Sequence, residues 1–108
     1  DYYLGTCEYI NKNGGILYRG LYLDDISEID KNNLGGHWTI DKYVVIDLLN
    51  DSTFMGYSDG KSRMYLVEIW TPPNNISIQY VDLYGNPNEK EVNIINKDII
   101  EIRNIEEI

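Results

Sequence analysis

Met64-Tyr65-Leu66-Val67-Glu68-Ile69-Trp70-Thr71 is dense in aromatic and branched side chains and is halted by Pro72-Pro73, so it reads as a strand. Beyond it, Ile76-Ser77-Ile78-Gln79-Tyr80-Val81 alternates apolar and polar residues, which predicts another strand. Asn86-Pro87-Asn88 is a turn by composition, and residues 90–95 follow as a further extended run. Residues 99–105 close the pattern, with Ile100 and Ile102 on one face and Glu101 and Arg103 on the other. In the first half, residues 16–22 form a strand after the turn-forming Asn11-Lys12-Asn13-Gly14-Gly15. Residues 1–10, with Tyr2, Tyr3, Leu4, Cys7, Tyr9 and Ile10, read as a first strand or an ordered arm.

Residues 24–30 open with acids and space Ile26 and Ile29 three apart, which predicts a short helical turn. His37-Trp38-Thr39 is a short extended piece. Asp41 can cap a helix over 42–50, where Val44, Val45, Leu48 and Leu49 share one broad side, although the β-branched residues also permit a strand. Residues 51–62 are polar and contain glycine, as a loop would. The expected architecture is one α+β, β-rich domain over residues 1–108, with five or six strands and one or two short helices.

The chain has 108 residues, of which 43% are apolar, enough for one modest core. Its net charge of -9 argues against binding to a nucleic-acid backbone, which needs clustered Lys and Arg. Acids are spread evenly, nine against four bases in residues 1–54 and nine against five in 55–108, so the charge belongs to the folded body. It serves solubility, or it meets a basic protein partner. Cys7 is the single cysteine, which excludes an intrachain disulfide, and no run approaches the 18 or so apolar residues of a membrane helix. With no leader visible, a reducing cytoplasm is the expected compartment, and membrane association is not expected. One His and one Cys cannot build a zinc site of the usual Cys/His kind, and the acidic loops lack EF-hand spacing, so no metal is expected.

Glu89-Lys90-Glu91 enters the strand at 90–95. In extended structure such a pair sends both carboxylates to one face, where they act together in a cleft or sit idle at a wet strand end. Arg19 lies in a largely apolar strand beside Gly20, which leaves room for a ligand. Its fork suits a phosphate or carboxylate, or it pairs with an acid across the sheet. Gly35-Gly36-His37-Trp38-Thr39 combines a flexible approach, a stacking ring and hydrogen-bonding groups. His37 there is either structural or catalytic. Tyr18, Tyr22, Tyr57 and Tyr65 are candidate cleft walls.

The order Arg19, His37-Trp38-Thr39, Glu89-Lys90-Glu91 resembles the ADP-ribosyltransferase family, in its toxin-like arginine–serine–glutamate class. The resemblance spans about residues 16–105 and implies a small ADP-ribosyltransferase-like split β-sheet core with NAD as cofactor. It implies that Arg19, beside Gly20 in the cofactor site, holds the pyrophosphate and that His37, Trp38 and Thr39 shape the NAD pocket. Glu91 would stabilise the oxocarbenium character of the ribose. Glu89 would orient or deprotonate the acceptor, a protein group such as a guanidinium, or a water in simple NAD hydrolysis. The competing expectation is a non-enzymatic acidic binding or inhibitory protein that occludes a basic partner surface.

Overall fold

The computed structural model describes residues 2–31, 34–50, 63–78 and 90–108. Its first element corrects the reading of the N-terminus. Residues expected as a strand or arm form a helix, α1, over Tyr2–Asn13. Tyr3, Cys7 and Ile10 are spaced one helical turn or two apart, so one face of α1 is buried against the sheet. That packing overrides the strand preference of Tyr, Thr and Ile. Gly14, at φ 79°, ends the helix with its N–H donating to the Ile10 carbonyl at 2.7 Å.

Five strands follow: β1 (Gly15–Leu23), β2 (His37–Thr39), β3 (Arg63–Thr71), β4 (Glu91–Asn93) and β5 (Glu101–Glu107). Together they make one sheet in the order β4-β2-β1-β3-β5, and every neighbouring pair is antiparallel. The result is a small α+β domain, as expected. The described strands form a single continuous sheet where a split one had been anticipated. Met64–Thr71 lies in the spine of this sheet: β3 runs its whole length against β1, from Gly15↔Thr71 to Leu23↔Arg63.

Period-two geometry sorts the side chains. Leu17, Val67, Ile69, Trp38 and Val92 face α1 and join Tyr3, Cys7 and Ile10 in the main core. Burying each such aliphatic side chain stabilises the fold by about 1.5–3 kcal/mol. On the opposite face Tyr18, Tyr22, Met64 and Leu66 pack with Val45 of α2 (Lys42–Leu49). Asp41 caps α2 as expected: its side chain accepts the Tyr43 N–H at 2.9 Å. A 3₁₀ turn at Ile26–Glu28 carries a capping box between Asp25 and Glu28.

The run expected as a strand at 76–81 differs. Ile76 makes only an isolated bridge to Ile94, and Ser77 N–H donates to the Asn93 carbonyl at 3.0 Å. Residues 79–81, the turn at 86–88 and the loop at 51–62 lie outside the described residues. Among the described residues no helix is long and apolar enough to cross a membrane.

Candidate functional site

A cavity of about 180 Å³ opens between α2 and the β1-β2-β4 side of the sheet. The register explains its lining. Tyr18 pairs with Thr39, and Thr39 pairs with Glu91, so these three residues form one row across three strands. Two positions along on β1 and β2, Gly20 and His37 share that face. Val44, Val45 and Leu48 close the cavity from α2.

Glu91 is the acid of this site. Its side chain is only 23% exposed, and one oxygen lies 3.6 Å from Nδ1 of His37, which is 59% exposed. The Glu91 carbonyl accepts a hydrogen bond from the Tyr3 hydroxyl, which ties α1 to the strand carrying the carboxylate. Lys90 turns elsewhere: its Nζ sits 2.7 Å from Asp41 Oδ2. That hydrogen bond, and then the one from the Tyr43 N–H, hold the Asp41 carboxyl below its usual range. Tyr18 is pushed up by burial first, then by the nearby Glu68 and Asp41 charges.

Arg19 and Trp38 reach the cavity out of phase with its face. Trp38 is buried in the main core, and its Nε1 donates to the Gly35 carbonyl at 3.2 Å. β1 and β2 share one register pair, Tyr18↔Thr39. Past it, Arg19 Nη1 donates to the His37 carbonyl at 2.5 Å. Gly35 permits this, because it sits at φ 75° and a Cβ there would lie 3.2 Å from Arg19 Nη2. Burial pulls the guanidinium below its ordinary pKa, and among the described residues its buried Nε has no partner. Arg19 thus braces β2 with part of its fork, where an anion clamp would present the fork to a ligand.

Six residues singled out from sequence, Arg19, Gly20, His37, Trp38, Thr39 and Glu91, line this one cavity. Glu89 lies outside the described residues, so the geometry of the Glu89-Glu91 pair does not enter. Of the candidate tyrosines, Tyr18 lines the cavity, Tyr22 packs in the cluster with Val45, Tyr65 is buried, and Tyr57 lies outside the described residues. Val44, Val45 and Leu48 were legible as one side of a helix but not as a site wall. Their shared spacing was the signal, and only the sheet packing says what they cover.

At about 180 Å³ the cavity falls below the roughly 300–1,000 Å³ of sites for drug-sized ligands. It holds a fragment or one side chain, and a dinucleotide would lie mostly outside it. Among the described residues no group of three His, Cys, Asp or Glu side chains could hold a metal ion. No family model, curated protein or solved structure matches the chain. The expectation of an NAD-using ADP-ribosyltransferase is corrected accordingly, since nothing matched supports it, and the described residues form a small antiparallel α+β domain with an acid-bearing cavity.

Proposed function

We propose that the protein is a non-enzymatic binding protein that receives a cationic side chain of a basic protein partner in the cavity beneath α2. One observation carries this reading. The mostly buried Glu91 carboxylate stands in a small cavity whose other walls are largely aromatic and aliphatic. A carboxylate in such surroundings favours an ammonium or guanidinium guest, because its charge is poorly screened by water there. Tyr18 and the α2 aliphatics accommodate the apolar stem of a Lys or Arg, whose charged head reaches Glu91. Glu68 pairs across the sheet with Tyr18, and Arg19 spends one arm of its fork on the His37 carbonyl. The net charge of -9 draws basic partners toward the surface and speeds the encounter.

The test is calorimetric titration with Gly-Arg-Gly, with Gly-Glu-Gly as the control. Gly-Arg-Gly binds and Gly-Glu-Gly does not. Glu91→Gln lowers the affinity for Gly-Arg-Gly by about tenfold or more, the worth of a charge-assisted hydrogen bond. Equal binding by wild type and Glu91→Gln would overturn the proposal. So would hydrolysis of NAD that stops in Glu91→Gln, because it would make the site an enzyme's.

A further inference from the structure

The two edges of the sheet are finished differently. Outside β4, Ile76 bridges Ile94 and the Ser77 N–H donates to the Asn93 carbonyl, so that edge is covered. β5 is the other outer strand, and among the described residues no strand or bridge lies beyond it. Its ladder with β3 fixes which of its backbone groups point outward. The Ile108 N–H donates to the Met64 carbonyl at 2.9 Å, which makes Met64 and Ile108 a hydrogen-bonded pair. Such pairs alternate along an antiparallel ladder, so Leu66 with Glu106 and Glu68 with Asn104 are of the same kind. The N–H and C=O of Ile105 and Glu107 therefore point away from β3, where they offer a template for another strand.

The side chains select that strand. Ile105 pairs with Val67 and packs half-buried against the main core, so it faces α1. Asn104 and Glu106 are exposed on the other face, opposite Glu68 and Leu66. Two antiparallel copies of β5 meet with Ile105 opposite Ile105 on a two-fold axis, each exchanging both outward backbone groups. In that register Asn104 of each copy lies opposite Glu106 of the other, and the amide donates to the carboxylate on both sides of the axis. Sliding the copies one way sets Glu106 against Glu106, which repel. Sliding them the other way sets Asn104 against Asn104 and gives up both charge-assisted pairs.

We infer that β5 pairs antiparallel with β5 of a second copy, joining the two sheets into one. The half-buried Ile105 side chains then meet across the axis and extend both cores on the α1 face. The register shift between Glu68 and Ile69 ends the pairable stretch, so the contact is short. The net charge of -9 on each chain opposes it, so the dimer is weak and tightens as salt screens the two bodies. Because the β4 edge is covered, assembly closes at the dimer. The cavity lies at the β4 side of the sheet, so this inference is independent of its guest.

Sedimentation velocity from about 10 µM to 1 mM suits a contact this small. The expected result is a monomer that passes to a dimer and to nothing larger, more readily at 0.5 M than at 0.05 M salt. Asn104→Lys brings an ammonium opposite the partner's Glu106 twice, and the dissociation constant of the dimer falls about fivefold. Asn104→Glu sets like charges there and raises it about tenfold. Glu8→Gln, at an exposed position on α1, changes the net charge as much as Asn104→Lys does and stays within about twofold of wild type. Melting temperatures at the lowest concentration confirm that the variants are folded. A wild type that stays monomeric at 1 mM in 0.5 M salt overturns the inference. So does a dimer that Asn104→Lys weakens, which would put residue 104 opposite itself, or one that neither variant changes, which would lie on another surface.

Discussion

Lys90 Nζ lies 2.7 Å from Asp41 Oδ2, and the other oxygen of the same carboxylate accepts the Tyr43 N–H at the start of α2. One acid therefore caps the helix that roofs the cavity and ties it to the residue preceding β4. Asp41→Ala removes both contacts. The lost cap costs about 1 kcal/mol, and the loss of the part-exposed ion pair adds little to it. The urea midpoint and the melting temperature fall accordingly, whereas Asp41→Asn, which keeps a capping oxygen, recovers most of the loss.

The same pair sets a pH dependence at both ends. The folded-state pKa of Asp41 is depressed, so its contribution is fully present above the unfolded carboxylate value of about 4 and is lost as pH falls through the lower folded value. Lys90 is raised, first by its hydrogen bond to Asp41. Its contribution is present below about pH 10 and fades as pH rises through the higher folded value. Urea unfolding of wild type and Asp41→Asn across pH shows the difference between them shrinking at both extremes. A difference that stays constant from acid to alkali would place the stabilisation in the cap alone.

His37 competes with any guest for Glu91. Its Nδ1 is 3.6 Å from the carboxylate, and the ring is mostly exposed, so the contact is weak and displaceable. His37→Gln removes the competing imidazole and leaves the backbone carbonyl that Arg19 holds. Binding of Gly-Arg-Gly tightens by about two- to fivefold, the range of an exposed pair, with little change in stability. Weaker binding in His37→Gln would mean that the ring itself contacts the guest.

Gly14→Ala is expected to damage the junction of α1 and β1. The residue holds φ 79°, and an added Cβ would sit 2.8 Å from the Thr71 carbonyl oxygen, which belongs to backbone and cannot swing aside. The left-handed conformation alone costs about 1–2 kcal/mol for a residue with a side chain, and the contact adds to it. A melting temperature within a degree of wild type would show that the junction relaxes without loss.

Much of the sheet was legible because its residues obey one local rule. β3 is dense in aromatic and branched residues across Met64–Thr71 and ends at two prolines, and the run at 16–22 is likewise apolar. The extent of β2 and the capped helix α2 were likewise carried by short-range signals, a Trp between polar residues and an Asp before an apolar side. α1 was not, because Tyr and Thr favour strands and Gly5 weakens a helix. Its Tyr3, Cys7, Ile10 stripe is three residues long and gains its meaning only from the sheet it covers. The site divides in the same manner. The row Tyr18, Thr39, Glu91 depends on register between strands far apart in sequence. The use of Arg19 depends on where β1 and β2 part, which no local pattern encodes.

Asn75 gives the strongest stability prediction, because it is 1% exposed and its side chain ties the end of β3 to Asn96, 21 residues on. Its Nδ2 donates to Thr71 Oγ1 at 3.0 Å and to the Asn96 carbonyl at 2.9 Å, and its Oδ1 accepts the Asn96 N–H at 2.8 Å. The next link is Asn74, whose N–H donates to the Asn11 carbonyl of α1 at 2.7 Å. Asn75→Ala takes the donor from the buried Thr71 Oγ1 and cuts both part-buried bonds to the exposed Asn96, at a cost of about 1–3 kcal/mol. Asn75→Leu restores volume but not the bonds, so it stays within about 1 kcal/mol of the alanine variant. The knot sits at the end of β3 occupied by Thr71, while the cavity lies over Tyr18 and Glu91. Below their lowered melting temperatures both variants therefore bind Gly-Arg-Gly as wild type does. If Asn75→Leu recovers wild-type stability, packing rather than hydrogen bonding holds this corner together.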